Sequence, residues 1–439
     1  MNILIRGANL FDPDSFSIKE RDIYLENGLV RYDSPMDRVD HIFDAHGQIA
    51  LPALTIGHHH IYSALSKGVP CDVPFGNFLG NLKNLWWTLD RSLETKDMML
   101  STVLTAQQCL QNGVTTVFDH HVSAQVDGVL SKMAAIFKEY CLAGSIAFEL
   151  SDRNGQDFFA RSLAENISFA ESGKYESVKG MIGLHASFTL SDDSLQIIAD
   201  KTGDHPIHIH IAEAEIDMLE TNKRHGCTPV QRLDKFGLLR PNSILVHCSN
   251  LEENDIQILK NRDVYIVQAV DSNMKNGLNV GNIHKFIKAG IKTTVGTDGM
   301  HSNVLKAMKN SMLMTNYLNQ SPDLGYAEME ALLKNNYRLK ETFGLPLGIR
   351  EGEPADIAIF DYEAATPLND DTFLAHFIFA ITESRCRFLF KQDKILLEDY
   401  HITVNPYPEL KKEAAEISEK LFEKFKQAKQ RINSEGIYE

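Results

Sequence analysis

The chain has 439 residues, of which 43% are hydrophobic and 23% charged, and its formal net charge is −15. This composition is typical of globular proteins with a large apolar core. The length is sufficient for a (β/α)8 barrel of roughly 250 residues and a smaller domain. Basic residues form no cluster along the chain, which excludes nucleic acid and anionic membrane surfaces as expected partners. No apolar stretch reaches the roughly 18 residues that a membrane-spanning helix needs.

The cysteines and the first residues bear on the cellular compartment. The six cysteines are scattered without a Cys-x-x-Cys pair, so we expect reduced thiols instead of disulfides or a cysteine-based zinc site. The segment Met1–Asp12 is short, carries two charged residues and lacks a small-residue cleavage site, so we expect no signal peptide. Together these features predict a cytoplasmic protein.

The first fifty residues predict short strands joined by turns. Ile3–Gly7, Asp22–Leu25 and Leu29–Tyr32 have the composition of strands, and Glu26–Gly28 is a turn between the last two. This pattern indicates a small β-meander. Ile42–Gly47 adds a further strand and turn.

From Leu51 to about Phe343, short apolar runs alternate with helical sequence. Eight strands that are each followed by a helix favour a parallel α/β barrel over an open sheet. An open doubly wound sheet is the alternative, but it normally carries a glycine-rich phosphate loop after the first strand, and none is present here. The eight runs are Ala53–Gly57, Val114–Phe118, Gly144–Leu150, Met181–Leu184, Pro206–Ile211, Ser243–Val246, Val264–Val267 and Ile291–Val295.

Strand patterns return after Gly344, at Asp356–Asp361, Arg387–Phe390 and Lys394–Leu397. We expect residues 1–52 and 346–405 to pair into one small β-sandwich formed by both chain ends. Residues 53–345 would then form the (β/α)8 barrel.

The last segment, residues 406–439, is predicted to be an amphipathic helix that packs on the body of the protein. Its apolar residues recur at spacings of three and four on a charged background. They are Leu410, Ala414, Ile417, Leu421, Phe425 and Ala428.

The first barrel strand ends in a His-x-His pair, His58 and His60. Residues two apart in a strand point to the same side, so both imidazoles can reach one ion while His59 faces away. With 17 histidines in the chain, this pair alone is a weak signal.

Other predicted strands also end in histidine or aspartate. His208 and His210 close the fifth strand, His247 closes the sixth and Asp298 follows the eighth. Functional residues of such barrels lie at the carboxyl ends of the strands, so we expect these side chains to meet. Mixed imidazole and carboxylate ligands suit Zn²⁺ or Fe²⁺ better than Mg²⁺ or Ca²⁺. Glu213, three residues beyond His210, is the expected proton carrier.

With these motifs the chain resembles the amidohydrolase superfamily, in the branch that contains deaminases and triazine chlorohydrolases. Within that branch it is most similar to the aminohydrolases called SsnA. Segments that carry the finer resemblance are Leu85–Arg91, Asp119–His121 and Ser272–Met274.

The resemblance implies a hydrolase of carbon–nitrogen bonds other than peptide bonds, with one divalent metal ion per chain, zinc or else iron. It implies His58, His60, His210 and Asp298 as metal ligands. It also implies catalytic roles for Glu213 as the acid/base group, for His247 as the residue that orients the attacking water, and for Asp298 as a proton acceptor.

The resemblance further implies that His185 contacts the substrate, and His121 is a second candidate contact. For His120 and His121 three interpretations stay open: partners that orient a ligand, substrate contacts or packing. Trp86 and Trp87 are expected to pack at the start of a helix, or else to stack on a flat substrate with Asp90 nearby.

Several residues depart from the family pattern. Pro52-Ala53 replaces the usual proline-glycine, Gly57 precedes the ligand pair, and Gln268–Asp271 replaces a His-Asn-Pro run. None of these changes removes an implied ligand, but the last one alters a wall of the pocket.

The expected substrate is a purine, pyrimidine or triazine-like heterocycle that loses its amino group as ammonia. The same groups could instead expel chloride. A binuclear cyclic amide hydrolase would need a carboxylated lysine on the fourth strand, and Met181–His185 offers none. The alternative outside enzymes is a catalytically silent scaffold. The resemblance also implies a homo-oligomer, most simply a dimer.

Overall fold

The computed structural model of this chain describes residues 1–33, 38–71 and 74–435, and for residues 433–435 it describes the backbone only. The end of the predicted C-terminal helical segment, residues 436–439, lies outside the described residues. The strands form two nine-stranded sheets. One sheet is made by the two ends of the chain, and the other by its middle.

The N-terminal strands begin the first sheet. The meander predicted from the sequence is confirmed, because the first strand pairs antiparallel with the second, and the second with the third. The fourth and fifth strands pair with the first in parallel. The bounds are β1 (Ile3–Asp12), β2 (Ser17–Glu26), β3 (Leu29–Arg31), β4 (His41–Asp44) and β5 (Ile49–Pro52).

The middle of the chain forms a parallel barrel of eight strands, as predicted, with one short extra strand (β9) at its edge. Each of the eight predicted apolar runs overlaps one strand of the barrel. The bounds are β6 (Leu54–His59), β7 (Val114–His121), β8 (Ala143–Leu150), β9 (Val178–Gly180), β10 (Ile182–Leu184), β11 (Ile207–Ile211), β12 (Ile244–His247), β13 (Tyr265–Gln268) and β14 (Lys292–Val295).

The barrel closes between β6 and the segment that follows β14. The Thr297 amide donates to the His58 carbonyl at 2.9 Å, and His59 forms a parallel bridge with Asp298. The first and last strands of the barrel therefore meet at the same end at which their histidine and aspartate side chains lie.

The last strands complete the first sheet. They are β15 (Asp356–Phe360), β16 (Cys386–Lys391), β17 (Lys394–Glu398) and β18 (His401–Ile402). β15 pairs antiparallel with β5, so the expected pairing of the two chain ends is confirmed. The strand order is β18-β17-β16-β15-β5-β1-β2-β3. The exact domain boundaries given above remain a proposal.

The helices in the middle of the chain follow the barrel strands, and the last three helices follow strands of the first sheet. They are α1 (Phe78–Asn81), α2 (Trp87–Asp90), α3 (Thr95–Gln111), α4 (Val129–Glu139), α5 (Gln156–Glu171), α6 (Asp192–Lys201), α7 (Glu215–His225), α8 (Pro229–Lys235), α9 (Glu253–Lys260), α10 (Val270–Asn276), α11 (Ile283–Lys288), α12 (Val304–Asn319), α13 (Tyr326–Thr342), α14 (Phe373–Phe379), α15 (Pro408–Lys412) and α16 (Ala414–Glu435). A π-helical turn, Leu82–Trp86, joins α1 to α2.

The last helix, α16, lies against the N-terminal part of the barrel. Ile417, Leu421 and Phe425 are buried in the main core, and Lys424 Nζ lies 2.5 Å from Asp97 Oδ2 on α3. The spacing of three and four that predicts an amphipathic helix thus corresponds to a buried face. Among the described residues, no helix is both long enough and apolar enough to cross a membrane.

A buried ion pair links the barrel helices to the first sheet. Lys340 Nζ on α13 donates to Asp356 Oδ2 on β15 at 2.8 Å, and Thr115 Oγ1 donates to the same oxygen at 2.8 Å. Both charged side chains are 1% exposed. A buried charge that loses its partner is costly, because neither water nor an opposite charge then compensates it.

We therefore expect Asp356→Ala to destabilise the protein by about 3–5 kcal/mol, because it leaves the Lys340 ammonium buried without its carboxylate. The midpoint of denaturant unfolding measures this change. Glu409→Ala, which breaks an exposed pair with Lys412, is the control and should leave the midpoint essentially unchanged. Equal midpoints for the two variants would contradict the assigned importance of the buried pair.

Candidate metal centre and active-site cavity

Three imidazoles converge at the carboxyl ends of β6 and β11. The ligand nitrogens of His58, His60 and His210 all lie within 4.8 Å of one another. His60 Nε2 is 3.2 Å from His210 Nε2. Two nitrogens that share a tetrahedral zinc ion at 2.0–2.1 Å lie about 3.3 Å apart, so this spacing fits a common ion.

Hydrogen bonds fix how these rings face the centre. His60 Nδ1 lies 2.7 Å from the His120 carbonyl, and His210 Nδ1 lies 2.9 Å from the His185 carbonyl. A carbonyl only accepts, so both Nδ1 atoms carry the hydrogen and both Nε2 atoms present a lone pair to the centre.

The third imidazole is held by another histidine. His58 Nδ1 lies 2.9 Å from His208 Nε2, while His58 Nε2 is buried and has no hydrogen-bond partner among the described residues. Because buried polar atoms normally have a partner, this nitrogen is available to bind an ion. His59 faces away from the centre, as predicted, and its Nδ1 lies 2.9 Å from Thr297 Oγ1.

Asp298 supplies a carboxylate beside the imidazoles. Its Oδ1 lies 3.3 Å from His60 Nε2 and 3.9 Å from His58 Nε2. The backbone of Asp298 is left-handed, with φ of 51°. Burial acts to raise the pKa of Asp298, but the neighbouring His60, His247 and His210 bring that pKa below its usual value.

Glu213 and His247 stand next to this carboxylate. His247 Nε2 lies 3.6 Å from Glu213 Oε2 and 3.9 Å from Asp298 Oδ2. Burial raises the pKa of Glu213 well above its usual value, and the charges of Asp298 and Asp217 raise that pKa further. Glu213 is therefore a carboxyl group that holds its proton more tightly than an exposed glutamate.

The His247 ring is oriented by Asn273 on α10. His247 Nδ1 lies 2.9 Å from Asn273 Oδ1. The amide nitrogen of Asn273 donates to Ser249 Oγ and to the Asn279 carbonyl, so its oxygen faces the ring. His247 Nδ1 then carries the hydrogen, and its buried Nε2 is an acceptor without a partner among the described residues.

A cleft opens above these groups. Its lining includes His60, His210, Glu213 and Asp298 together with aromatic and apolar side chains. The latter are Tyr62, Phe78, Leu82, Trp86, Trp87 and Met300. Trp86 and Trp87 were expected either to pack at the start of a helix or to stack on a flat substrate. Their position in the cavity lining is compatible with contact to a flat substrate.

The two histidines predicted as substrate contacts differ in position. His185 lines the cavity, and its Nδ1 lies 2.9 Å from Thr189 Oγ1. His121 is not among the described residues that line the cavity. Its Nε2 lies 2.9 Å from Ser123 Oγ, which gives it a partner within its own loop. His120 accepts from His60 Nδ1 through its backbone carbonyl, and its own Nε2 lies 3.1 Å from the carbonyls of Leu184 and His208. The three interpretations of the His120 side chain stay predictions.

The cavity wall contains a buried ionic group, of which only Asp90 was predicted from the sequence. Arg153 Nη1 donates to Asp90 Oδ2 at 3.0 Å, and Arg153 Nη2 donates to Glu149 Oε1. Burial raises the pKa of Asp90 to about 7 although Arg153 acts to lower it. Glu149 closes β8, so its position at the carboxyl end of a predicted strand was a signal that could have identified it.

The chain belongs to the amidohydrolase family, whose model matches residues 49–395. Members of this family are hydrolases, and the chain is accordingly a hydrolase that acts on carbon–nitrogen bonds. The eight-stranded barrel and the sheet made by both chain ends agree with this membership.

Among curated proteins, the chain is similar to the 5-methylthioadenosine/S-adenosylhomocysteine deaminase of Thermococcus sibiricus. The two are 27% identical over 393 residues, which cover 87% of this chain and 90% of the relative. It is also 24% identical to the 5'-deoxyadenosine deaminase of Methanosarcina barkeri, over 96% of this chain and 98% of the relative.

Among solved structures, an adenosine deaminase from Xanthomonas campestris with bound zinc has a similar fold. The TM-score is 0.78, the sequence identity is 19%, and the match covers 98% of each chain. At this identity the likeness concerns the fold.

We expect zinc added to chelator-treated protein to raise the melting temperature, because an ion that binds only the folded state stabilises it by about 2.7 kcal/mol at a hundredfold excess over Kd. His210→Ala removes one converging nitrogen and should reduce this rise. His46→Ala, which changes an exposed histidine paired with Asp44, is the control. A rise of equal size in both variants, measured by thermal melts, would refute the site.

Proposed function

We propose that this protein is a hydrolytic deaminase of a flat nitrogen heterocycle, such as a purine, pyrimidine or triazine-like ring. The observation that carries the proposal is the convergence of three imidazoles and the Asp298 carboxylate beside the partly buried carboxyl group of Glu213. The relatives named above are deaminases of adenosine derivatives, which makes an aminopurine the first substrate class to test.

We propose that His58, His60, His210 and Asp298 hold one divalent cation, with zinc favoured and iron as the alternative. The 3.2 Å and 3.3 Å spacings about His60 Nε2 and the unpartnered His58 Nε2 support this set. The cation, when bound, supplies Lewis acidity that lowers the pKa of water toward neutrality. The absence of lysine at the end of β10, where His185 follows Leu184, favours one cation over a lysine-bridged pair.

Glu213 is proposed to deliver and collect protons. Because burial keeps its carboxyl group protonated to higher pH than usual, Glu213 can donate its proton to a ring nitrogen as water adds to the carbon that bears the amino group. The water oxygen stays on that carbon. One water proton goes to the amino group, which leaves as ammonia, and the other returns to Glu213.

His247 and Asp298 are proposed to orient the attacking water. His247 Nε2 and Asp298 Oδ2 are both acceptors and lie 3.9 Å apart, so one water can donate a hydrogen to each. Asp298 is proposed to accept a proton from this water and to pass it to the leaving amino group. Asn273 keeps the His247 ring in the required orientation.

The ring of the substrate is proposed to lie against the aromatic side of the cavity, formed by Trp86, Trp87 and Phe78. His185, on the cavity lining, is the proposed polar contact. A substrate contact by His121 remains a prediction without support from its position. The finer similarity to SsnA and self-association as a homodimer also remain predictions.

The same residues do not select the leaving group, so chloride release and cyclic amide hydrolysis are alternative outcomes. A screen of zinc-loaded protein against aminopurines, aminopyrimidines, chlorotriazines and cyclic amides separates these reactions by the product released. Bound zinc without turnover of any compound would instead favour a catalytically silent scaffold.

Glu213→Gln should keep the bound zinc and lose ammonia release by about 10²–10⁴-fold, since the amide cannot transfer the proton that the carboxyl group transfers. Zinc content and initial rates of ammonia release measure the two effects. Glu215→Gln, an exposed glutamate at the start of α7, is the matched control and should behave like the unmodified protein. Normal turnover by Glu213→Gln would show that the mechanism is wrong.

A further inference from the structure

The short helix α10 contributes one wall of the cavity. Ser272, Lys275 and Asn276 all line the cleft. Ser272 and Asp298 line the same cleft, and Asn276 Oδ1 accepts from Asn81 Nδ2 at 3.2 Å. The helix therefore lies beside the proposed metal-ligand carboxylate and contacts the helical stretch Phe78–Asp90 on the opposite side.

One buried carboxylate ties α10 to the rest of the protein. Asp271 is 9% exposed. Its Oδ2 lies 2.9 Å from His301 Nε2, and its Oδ1 accepts from Asn310 Nδ2 on α12. Burial acts to raise the pKa of Asp271, but its hydrogen bonds to His301 and Asn310 bring that pKa below its usual value. Both oxygens are thus engaged as acceptors.

The tautomer of His301 follows from its second contact. The Asn303 amide donates to His301 Nδ1 at 3.3 Å, so Nδ1 is an acceptor and Nε2 carries the hydrogen that goes to Asp271. His301 stands three residues after Asp298, and the residues between them, Gly299 and Met300, line the cavity. The His301 side chain therefore connects the loop of Asp298 to the wall formed by α10.

We propose that Asp271, through His301 and Asn310, is a positioning residue that holds α10 against the Asp298 loop and so sets the substrate affinity of the cavity. The expected change in substrate affinity rests on the proposed function. Asp271 and His301 are not among the described residues that line the cavity, so they act through Ser272 and Asn276.

Asp271→Asn tests this role at constant size. The new amide has one acceptor oxygen, whereas His301 Nε2 and Asn310 Nδ2 both donate at this position. Its NH2 group must therefore face one of these two donors. We expect kcat/KM for whichever heterocycle the unmodified enzyme deaminates to fall about tenfold, mainly through KM, with zinc content unchanged.

His301 offers a rescue test. Glutamine has one donor and one acceptor, as the neutral imidazole does, so His301→Gln should retain most of the affinity. His301→Leu has neither group and should raise KM as Asp271→Asn does. Equal KM values for the Gln and Leu variants would overturn the assignment.

The chain's two tryptophans, Trp86 and Trp87, give a readout that needs no turnover. Both belong to the stretch that α10 contacts through Asn81. Loosening α10 should expose them, so we expect stronger acrylamide quenching of tryptophan fluorescence in Asp271→Asn and in His301→Leu than in the unmodified protein.

Asp255→Asn is the matched control. Asp255 is buried and accepts from Thr228 Oγ1 and the Glu252 amide at the start of α9, away from the cavity. It should lower stability but change neither KM nor quenching. Unchanged KM and quenching in Asp271→Asn, or equal changes in both variants, would overturn the proposal. Failure of the unmodified protein to release ammonia would contradict only the proposed function, because the comparison of fluorescence quenching still tests the positioning role.

Discussion

The hydrogen bond from the Thr297 amide to the His58 carbonyl brings the first and last strands of the barrel together, and the candidate metal centre depends on this contact. It places Asp298 beside the imidazoles of β6. Two glycines permit so close an approach, because a Cβ atom on Gly57 or on Gly296 would lie within 3 Å of a backbone oxygen of the other segment. Gly57, which departs from the family pattern, therefore has a steric explanation.

Burial shifts the pKa values of the imidazoles and of the Glu213 carboxyl group in the site in opposite directions. Removal from water lowers the pKa of His58 and of His210, so these imidazoles are neutral and offer lone pairs. The same effect raises the pKa of Glu213, so this carboxyl group keeps a proton. Because desolvation penalises whichever form is charged, one physical cause provides both the neutral ligands and the acid.

Local sequence patterns predicted most of the fold but only part of the site. Alternation of apolar runs and helices identified all eight barrel strands, and position at strand ends identified the converging histidines. β5 was missed because its apolar residues run directly into those of β6. The contacts of Arg153 with Asp90 and of Asp271 with His301 join residues far apart in the chain. Such pairs leave no periodic signal, and only the folded arrangement reveals them.

The strand order also has a consequence for synthesis of the protein. β5 lies between β1 and β15, and β15 is translated after every residue of the candidate metal centre. A nascent chain in which all the barrel strands have been synthesised therefore still exposes one edge of β5. The amide and carbonyl groups on this edge are able to pair with another chain. This edge of β5 is covered only when Asp356–Phe360 has left the ribosome and paired with it.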